Sequence, residues 1–170
     1  THKIVQMGLG YVPEDREIFA SLTVKENLAL AERDQKPNYD LVYSLFPELL
    51  TRTSQRAGTL SGGQRKLLEM ARALMTEPRL VMLDEPMAGV NPALKQSLNE
   101  HIRGLRDDGM TVLFVEHDMD MVNDVADWVV VMAEGMLIAE GTPEQIGNNA
   151  QVIEAYLGSH QGKSLLEERS

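Results

Sequence analysis

Two adjacent carboxylates, a serine followed by two glycines, and one histidine are the residues of this chain whose types and spacing could do chemistry, and that chemistry is phosphate transfer. Leu60-Ser61-Gly62-Gly63-Gln64 opens a segment with helical spacing. Unpaired N–H groups at a helix start lie at the positive end of its macrodipole, and glycines let phosphate oxygens come close. Ser-Gly-Gly alone reads better as an ordinary N-cap with glycines in a turn; the full string and the basic pair Arg65-Lys66 shift the reading toward an anion. In Leu80-Val81-Met82-Leu83-Asp84-Glu85-Pro86 an apolar run ends in two carboxylates. There Asp84 can hold Mg²⁺ through water, while Glu85 can serve as general base or orient a phosphate-directed water. Acidic pairs after strands are common as solvated loop starts, but here Pro86 fixes the exit and His117 ends the next apolar run. Carboxyl ends of parallel strands are where such folds bind ligands. His117 can donate to a terminal phosphate oxygen.

Other candidates fall away on spacing. His2, His101 and His160 have no comparable setting and read as structural or solvent residues, and no histidine pair has zinc-ligand spacing. Gly162-Lys163-Ser164 imitates the end of G-x-x-x-x-G-K-[ST], yet Leu157 stands where the first glycine belongs, and a helix rather than a strand precedes it. Gly8-Leu9-Gly10 lacks the third glycine of a dinucleotide fingerprint, since Pro13 holds that place.

The elements that must position these residues follow from periodicity. Met7 to Pro13 reads as a strand running into a loop at Pro13-Glu14-Asp15-Arg16. Thr23-Val24-Lys25-Glu26 has capping-box spacing and opens a helix over Asn27 to Ala31; a second helix spans Tyr39 to Leu45 and ends near Phe46-Pro47. Leu67, Met70, Ala71 and Leu74 recur at helical spacing after Ser61, with Pro78 as the stop. Arg79 to Leu83 and Thr111 to Val115 are continuous apolar runs, the pattern of strands buried on both faces. Between them Leu94, Leu98, Ile102 and Leu105 mark the buried stripe of a helix, and strand, helix, strand implies parallel pairing. Met119 to Ala126 reads as a short helix. Trp128 to Met132 and Met136 to Ala139 form a hairpin around Ala133-Glu134-Gly135, and a helical tail starts at Thr142-Pro143-Glu144-Gln145.

Composition sets outer limits. The 170 residues, 43% apolar and 25% charged, suffice for one domain with a core. Sixteen basic against 26 acidic residues leave a net charge of −10, which argues against holding nucleic acid or anionic lipid by counterion release. Backbone dipoles must then bind any polyanion. Absence of cysteine excludes disulfides and thiolate metal sites and fits a reducing compartment; no apolar run reaches the roughly 20 residues of a spanning helix.

Together these residues resemble the nucleotide-binding subunit of an ABC transporter. Leu60 to Gln64 matches that family's signature motif without change, Leu80 to Glu85 matches Walker B with its catalytic glutamate, Ala88-Gly89-Val90-Asn91 stands at the D-loop, and His117 at the switch histidine. Gly10 to Glu14, Leu22 to Leu28, Glu116 to Met119 and the stretch from Gly141 to Gly158 are similar to ATPases of branched-chain amino-acid uptake systems. The resemblance implies an α/β fold: a partial RecA-like P-loop NTPase core, mostly parallel sheet with helices on both faces, spanning residues 1–158. It also implies an inserted α-helical subdomain over about residues 23–77, a C-terminal β-hairpin plus helices, and a polar tail over 159–170.

For function, the resemblance implies ATP and Mg²⁺, with Asp84 on the metal through water and Glu85 and His117 catalytic. Ser61, Gly62, Gly63 and Gln64 would touch ATP held by the opposite subunit. Glu14 occupies the Q-loop position, where most relatives carry glutamine, and Asn91 replaces the usual D-loop aspartate. The implied partners are a second nucleotide-binding subunit, in a homo- or heterodimer, and integral membrane permease subunits; no nucleic acid is expected. Permeases would be driven through the surface around Glu14 and the segment Thr23 to Ala57. The implied location is the cytoplasmic face of the plasma membrane. The resemblance places the P-loop, its lysine and the adenine-stacking aromatic upstream of Thr1, so this stretch alone is expected to lack ATPase activity. Two alternatives stay open: a non-hydrolysing binding module, and a soluble ABC protein of DNA repair or translation, which usually carries coiled coils or a second cassette. Neither heptads nor repeats are visible in this sequence.

Overall fold

Three short strands, β1 (Leu9–Val12), β2 (Leu80–Asp84) and β3 (Thr111–Val115), pair in parallel in the order of the chain. This arrangement comes from a computed structural model that describes residues 7–14, 18–32 and 38–155, in two compact units, Thr1–His117 and Asp118–Ser170. The register aligns Val12 with Leu83 and Leu83 with Phe114. On that face Val12, Val81 and Leu83 are buried, whereas Tyr11, Leu113 and Val115 on the other are about half exposed. The runs Arg79 to Leu83 and Thr111 to Val115 are therefore not buried on both faces. An unbroken apolar run permits double burial without requiring it, and in β2 and β3 exposure alternates with the pleat. β2 also starts and ends one residue later than predicted, so Asp84 is itself a strand residue.

A helical insertion fills the crossover from β1 to β2. Its first helix, α1 (Val24–Ala29), is opened by the expected capping box and ends two residues short of Ala31: the Glu26 N–H donates to Thr23 Oγ1 while the Glu26 carboxylate accepts from the Thr23 N–H at 2.7 Å. α2 (Tyr39–Leu45) has the predicted bounds. Phe46-Pro47, read as a stop, also starts α3 (Pro47–Leu50), since proline is suited to the first helical position. The longest helix of the insertion, α4 (Gly62–Leu74), packs on α1, α2 and α3, and Leu28, Phe46, Leu49, Leu68, Met70 and Leu74 are almost fully buried.

One buried amide fixes the loop that enters this insertion. Asn27 has no exposed surface; its Oδ1 accepts from the Phe19 N–H at 2.9 Å and its Nδ2 donates to the carbonyls of Phe19 and Thr23 at 3.0 Å each. The loop is thus tied to α1, while the Arg72 guanidinium of α4 lies 5.3 Å from the Phe19 ring centroid. The sequence reading took Asn27 only as a helix residue.

The crossover from β2 to β3 is α5 (Pro92–Asp107), whose Leu98, Ile102 and Leu105 are buried as predicted. In the second unit, α6 (Met119–Val125) is capped by Asp118, and β4 (Val129–Ala133) pairs antiparallel with β5 (Met136–Gly141). Glu134 and Gly135 between them both have positive φ, as a two-residue hairpin turn demands. Thr142 caps α7 (Pro143–Gly147), and residues 150–155 are again helical. The 159–170 tail, Gly162 to Ser164, His2 and His160 lie outside the described residues.

Two measurements check this account. Asn27→Ala should lower unfolding free energy by about 1–3 kcal/mol in urea titration, because it orphans the loop's polar groups. Hydrogen bonds from the Thr23 backbone and hydroxyl hold the Glu26 carboxyl below its ordinary range. Its stabilisation is present above the unfolded carboxylate pKa and lost as pH falls through the depressed folded value. The melting-temperature gap between wild type and Glu26→Gln should accordingly be widest near neutrality and close in acid.

Candidate nucleotide site

α4 begins as the sequence requires, with Ser61 as N-cap. Ser61 Oγ accepts from the Gln64 N–H at 3.3 Å and Gln64 Oε1 accepts from the Ser61 N–H at 3.1 Å. This capping box uses one first-turn amide and leaves those of Gly62 and Gly63 without an intrahelical acceptor. The glycines also serve packing. A Cβ on Gly63 would lie 2.5 Å from Leu94 Cδ1, and one on Gly62 would lie 3.2 Å from the Gly89 carbonyl oxygen. The helix tip therefore abuts the segment from Gly89 to Leu94. Leu94, predicted in the buried stripe of its helix, is 38% exposed because it lies across the helix tip instead. Lys66 corrects a second expectation. It faces the interior, with Nζ 3.4 Å from Glu69 Oε2 and both side chains nearly buried, so it supplies no charge to an anion at the tip.

The carboxylates and the histidine sit at the carboxyl ends of the strands. Asp84 ends β2 and accepts a hydrogen bond from the Tyr11 hydroxyl at 3.1 Å, a diagonal contact made possible because strand parity puts both on one face. Glu85 follows with φ of 43°, in the left-handed region that strains any residue with a Cβ. Its N–H donates to the Val115 carbonyl at 2.9 Å, and its carbonyl accepts from the Ala88 N–H at 3.0 Å. Glu85 Oε1 lies 3.6 Å from His117 Nδ1; the histidine is three-quarters exposed and the glutamate about one-third. Beside them Glu116 accepts from the Met87 N–H at 2.8 Å and from the His117 N–H at 3.1 Å.

The remaining candidates stand apart in role. Glu14 is exposed, two residues beyond the end of β1 at the same sheet edge. Asn91 spends its side chain on capping α5, accepting from the Ala93 N–H at 2.9 Å. His101 packs edge-on against Phe46 with ring centroids 5.1 Å apart, the structural place expected of it. Sequence reasoning missed the contacts of Tyr11, Gly89, Leu94 and Glu116. Only alternation in β1 hinted that Tyr11 and Asp84 share a face, and nothing local marked the other three. Among the described residues no cluster of three histidines or carboxylates could hold a metal alone.

A glycine-lined helix tip and a carboxylate pair with a histidine at parallel strand ends accord with the comparison to known proteins. The ABC transporter family profile matches residues 1–88. This chain belongs to that family. A second profile, for branched-chain amino acid ATP-binding cassette transporters, matches residues 136–161. The high-affinity branched-chain amino acid transport ATP-binding protein BraG of Pseudomonas aeruginosa is 39% identical, over 91% of this chain and 69% of its own length. LivG of Escherichia coli K12, also a high-affinity branched-chain amino acid transport ATP-binding protein, is 35% identical over 92% of this chain and 70% of its own. The crystal structure of an ABC-transporter cassette in its ADP conformation superposes with a TM-score of 0.76 at 29% identity, covering 92% of this chain and 70% of that one. The α/β fold and the ABC relationship expected from the sequence are thereby established.

The packing of the ABC signature tip predicts a coupling. Gly63→Val should cost about 1–3 kcal/mol of unfolding free energy through overpacking, and adding Leu94→Ala should recover most of it in a double-mutant cycle.

Proposed function

We propose that this chain is the ATP-binding and hydrolysing subunit of an importer for branched-chain or other hydrophobic amino acids. The names of BraG and LivG and the C-terminal family profile support the substrate class. The carrying observation for hydrolysis is the Glu85–His117 pair, 3.6 Å apart at the carboxyl ends of adjacent strands.

Glu85, partly exposed and next to a histidine, is placed to take a proton from water or orient it toward a phosphate. His117 is placed to donate to a terminal phosphate oxygen. The donor set at the strand end fits Mg²⁺, which uses one or two carboxylates and keeps water and phosphate as its other ligands. Asp84 would hold it through water, and the ion would offset charge on the transferring phosphoryl group. Ser61, Gly62, Gly63 and Gln64 would meet ATP bound by the opposite subunit, using first-turn amides rather than basic side chains. Glu14 and Asn91 stand at the Q-loop and D-loop positions; the Asn91 side chain already caps α5, so its role across a dimer falls to the backbone and the loop.

ATP-driven closure of two such subunits would be transmitted to membrane permeases through the helical insertion. Among the described residues no helix is long and apolar enough to cross a membrane; attachment to the inner face would come through those partners. In the full-length protein Glu85→Gln should lower kcat by about 10²- to 10⁴-fold while ATP-dependent dimerisation persists in size-exclusion chromatography. Unchanged phosphate release would remove Glu85 from this role, and loss of nucleotide binding in the wild-type protein would favour a non-hydrolysing module.

A further inference from the structure

We infer that Glu116 is a positioning residue: its carboxylate straps the turn after Glu85 to the backbone of His117, holding Glu85 in its left-handed conformation with its side chain toward the histidine. The inference rests on the catalytic reading of Glu85 and goes beyond it.

Left-handed φ at a non-glycine residue is strained and persists only where surrounding contacts overdetermine it. Glu85, at φ 43°, precedes Pro86 and has its own N–H and carbonyl engaged. Those two bonds fix its ends, but neither ties the following turn to β3. Glu116 does so, across 29 residues of sequence, by accepting from the Met87 N–H at 2.8 Å. Its other oxygen accepts from the His117 N–H at 3.1 Å. One carboxylate thus spans the two backbone segments that carry Glu85 and His117. Ionised acceptors bind backbone N–H groups about twice as strongly as neutral ones, so a carboxylate suits this place better than an amide or hydroxyl. Each Glu116 oxygen accepts from a backbone donor, one on either segment. What matters is therefore acceptor geometry, with charge strengthening it.

The test uses the full-length protein with Glu116→Gln, which keeps an acceptor for Met87, and Glu116→Ala, which keeps none. Hydrogen exchange followed by mass spectrometry over Pro86 to Gly89 should speed up about tenfold or more in the alanine variant and less in the glutamine variant. ATP turnover should fall about 10- to 100-fold in kcat for Glu116→Ala, with KM for ATP little changed and with partial recovery in Glu116→Gln. Wild-type exchange rates in Glu116→Ala would overturn the strap, as would equal kinetic defects in the two variants, since charge alone would then be at work. A Glu85→Gln control separates the layers. Normal turnover in that control sinks the catalytic reading while the exchange result still judges the strap; abolished turnover there with normal turnover in Glu116→Ala sinks the positioning role alone.

Discussion

In-register pairing of parallel strands is the constraint on which the site depends. Asp84 pairs with Val115 as the last step of the β2–β3 ladder, and the Glu85 N–H continues it by one more bond to the Val115 carbonyl. The chain can turn only after that bond, so the first residue free to leave the sheet is Glu85, and the first free of β3 are Glu116 and His117. Parallel strands bring all their carboxyl ends to one edge, so residues more than 30 positions apart share one small volume. A one-residue slip would reverse every side chain and send Asp84 to the covered face.

The acidic balance of the chain makes this edge unusual as the proposed place for a triphosphate. Four carboxylates gather near the strand ends, yet each has a different task. Asp84 accepts from Tyr11, Glu116 binds backbone N–H groups, Glu85 faces His117, and Glu14 is exposed to solvent. On the proposed function, attraction for phosphate would draw on first-turn amides and a bound cation. At the signature tip Lys66 is turned inward onto Glu69, so on the proposed function that lysine would add nothing to the first-turn amides.

Glycine at that tip serves two needs with the same missing atoms. Absence of a Cβ on Gly62 and Gly63 exposes first-turn amides and lets the helix press against Gly89 and Leu94. The tip and the segment after Glu85 then form one packed unit, so a displacement of either is felt by the other. Asn27 plays the matching part at the other end of the insertion. It ties the Phe19 loop to α1, while Arg72 of the signature helix lies against the Phe19 ring.

The amino-acid sequence alone determined the kinds of element and the identity of the motifs, because both are local. Helical spacing after Ser61, apolar runs ending next to Asp84 and at Val115, a hairpin around Ala133-Glu134-Gly135 and the caps at Thr23, Ser61 and Thr142 are legible from neighbours along the chain; that the turn narrows to Glu134-Gly135 is not. Tertiary structure decided everything that depends on which surfaces meet. Apolar runs at β2 and β3 do not say how many faces are covered, a lysine in a helix does not say which way it points, and a leucine at stripe spacing does not say whether it lies on the core or on a glycine. The bonds from Tyr11 to Asp84 and from Met87 to Glu116 span 73 and 29 residues, distances over which no pattern of spacing survives. Pairing across such gaps is selected by the energy of the packed whole, and for that reason the chemistry could be named from the sequence while the residues that hold it in place could not.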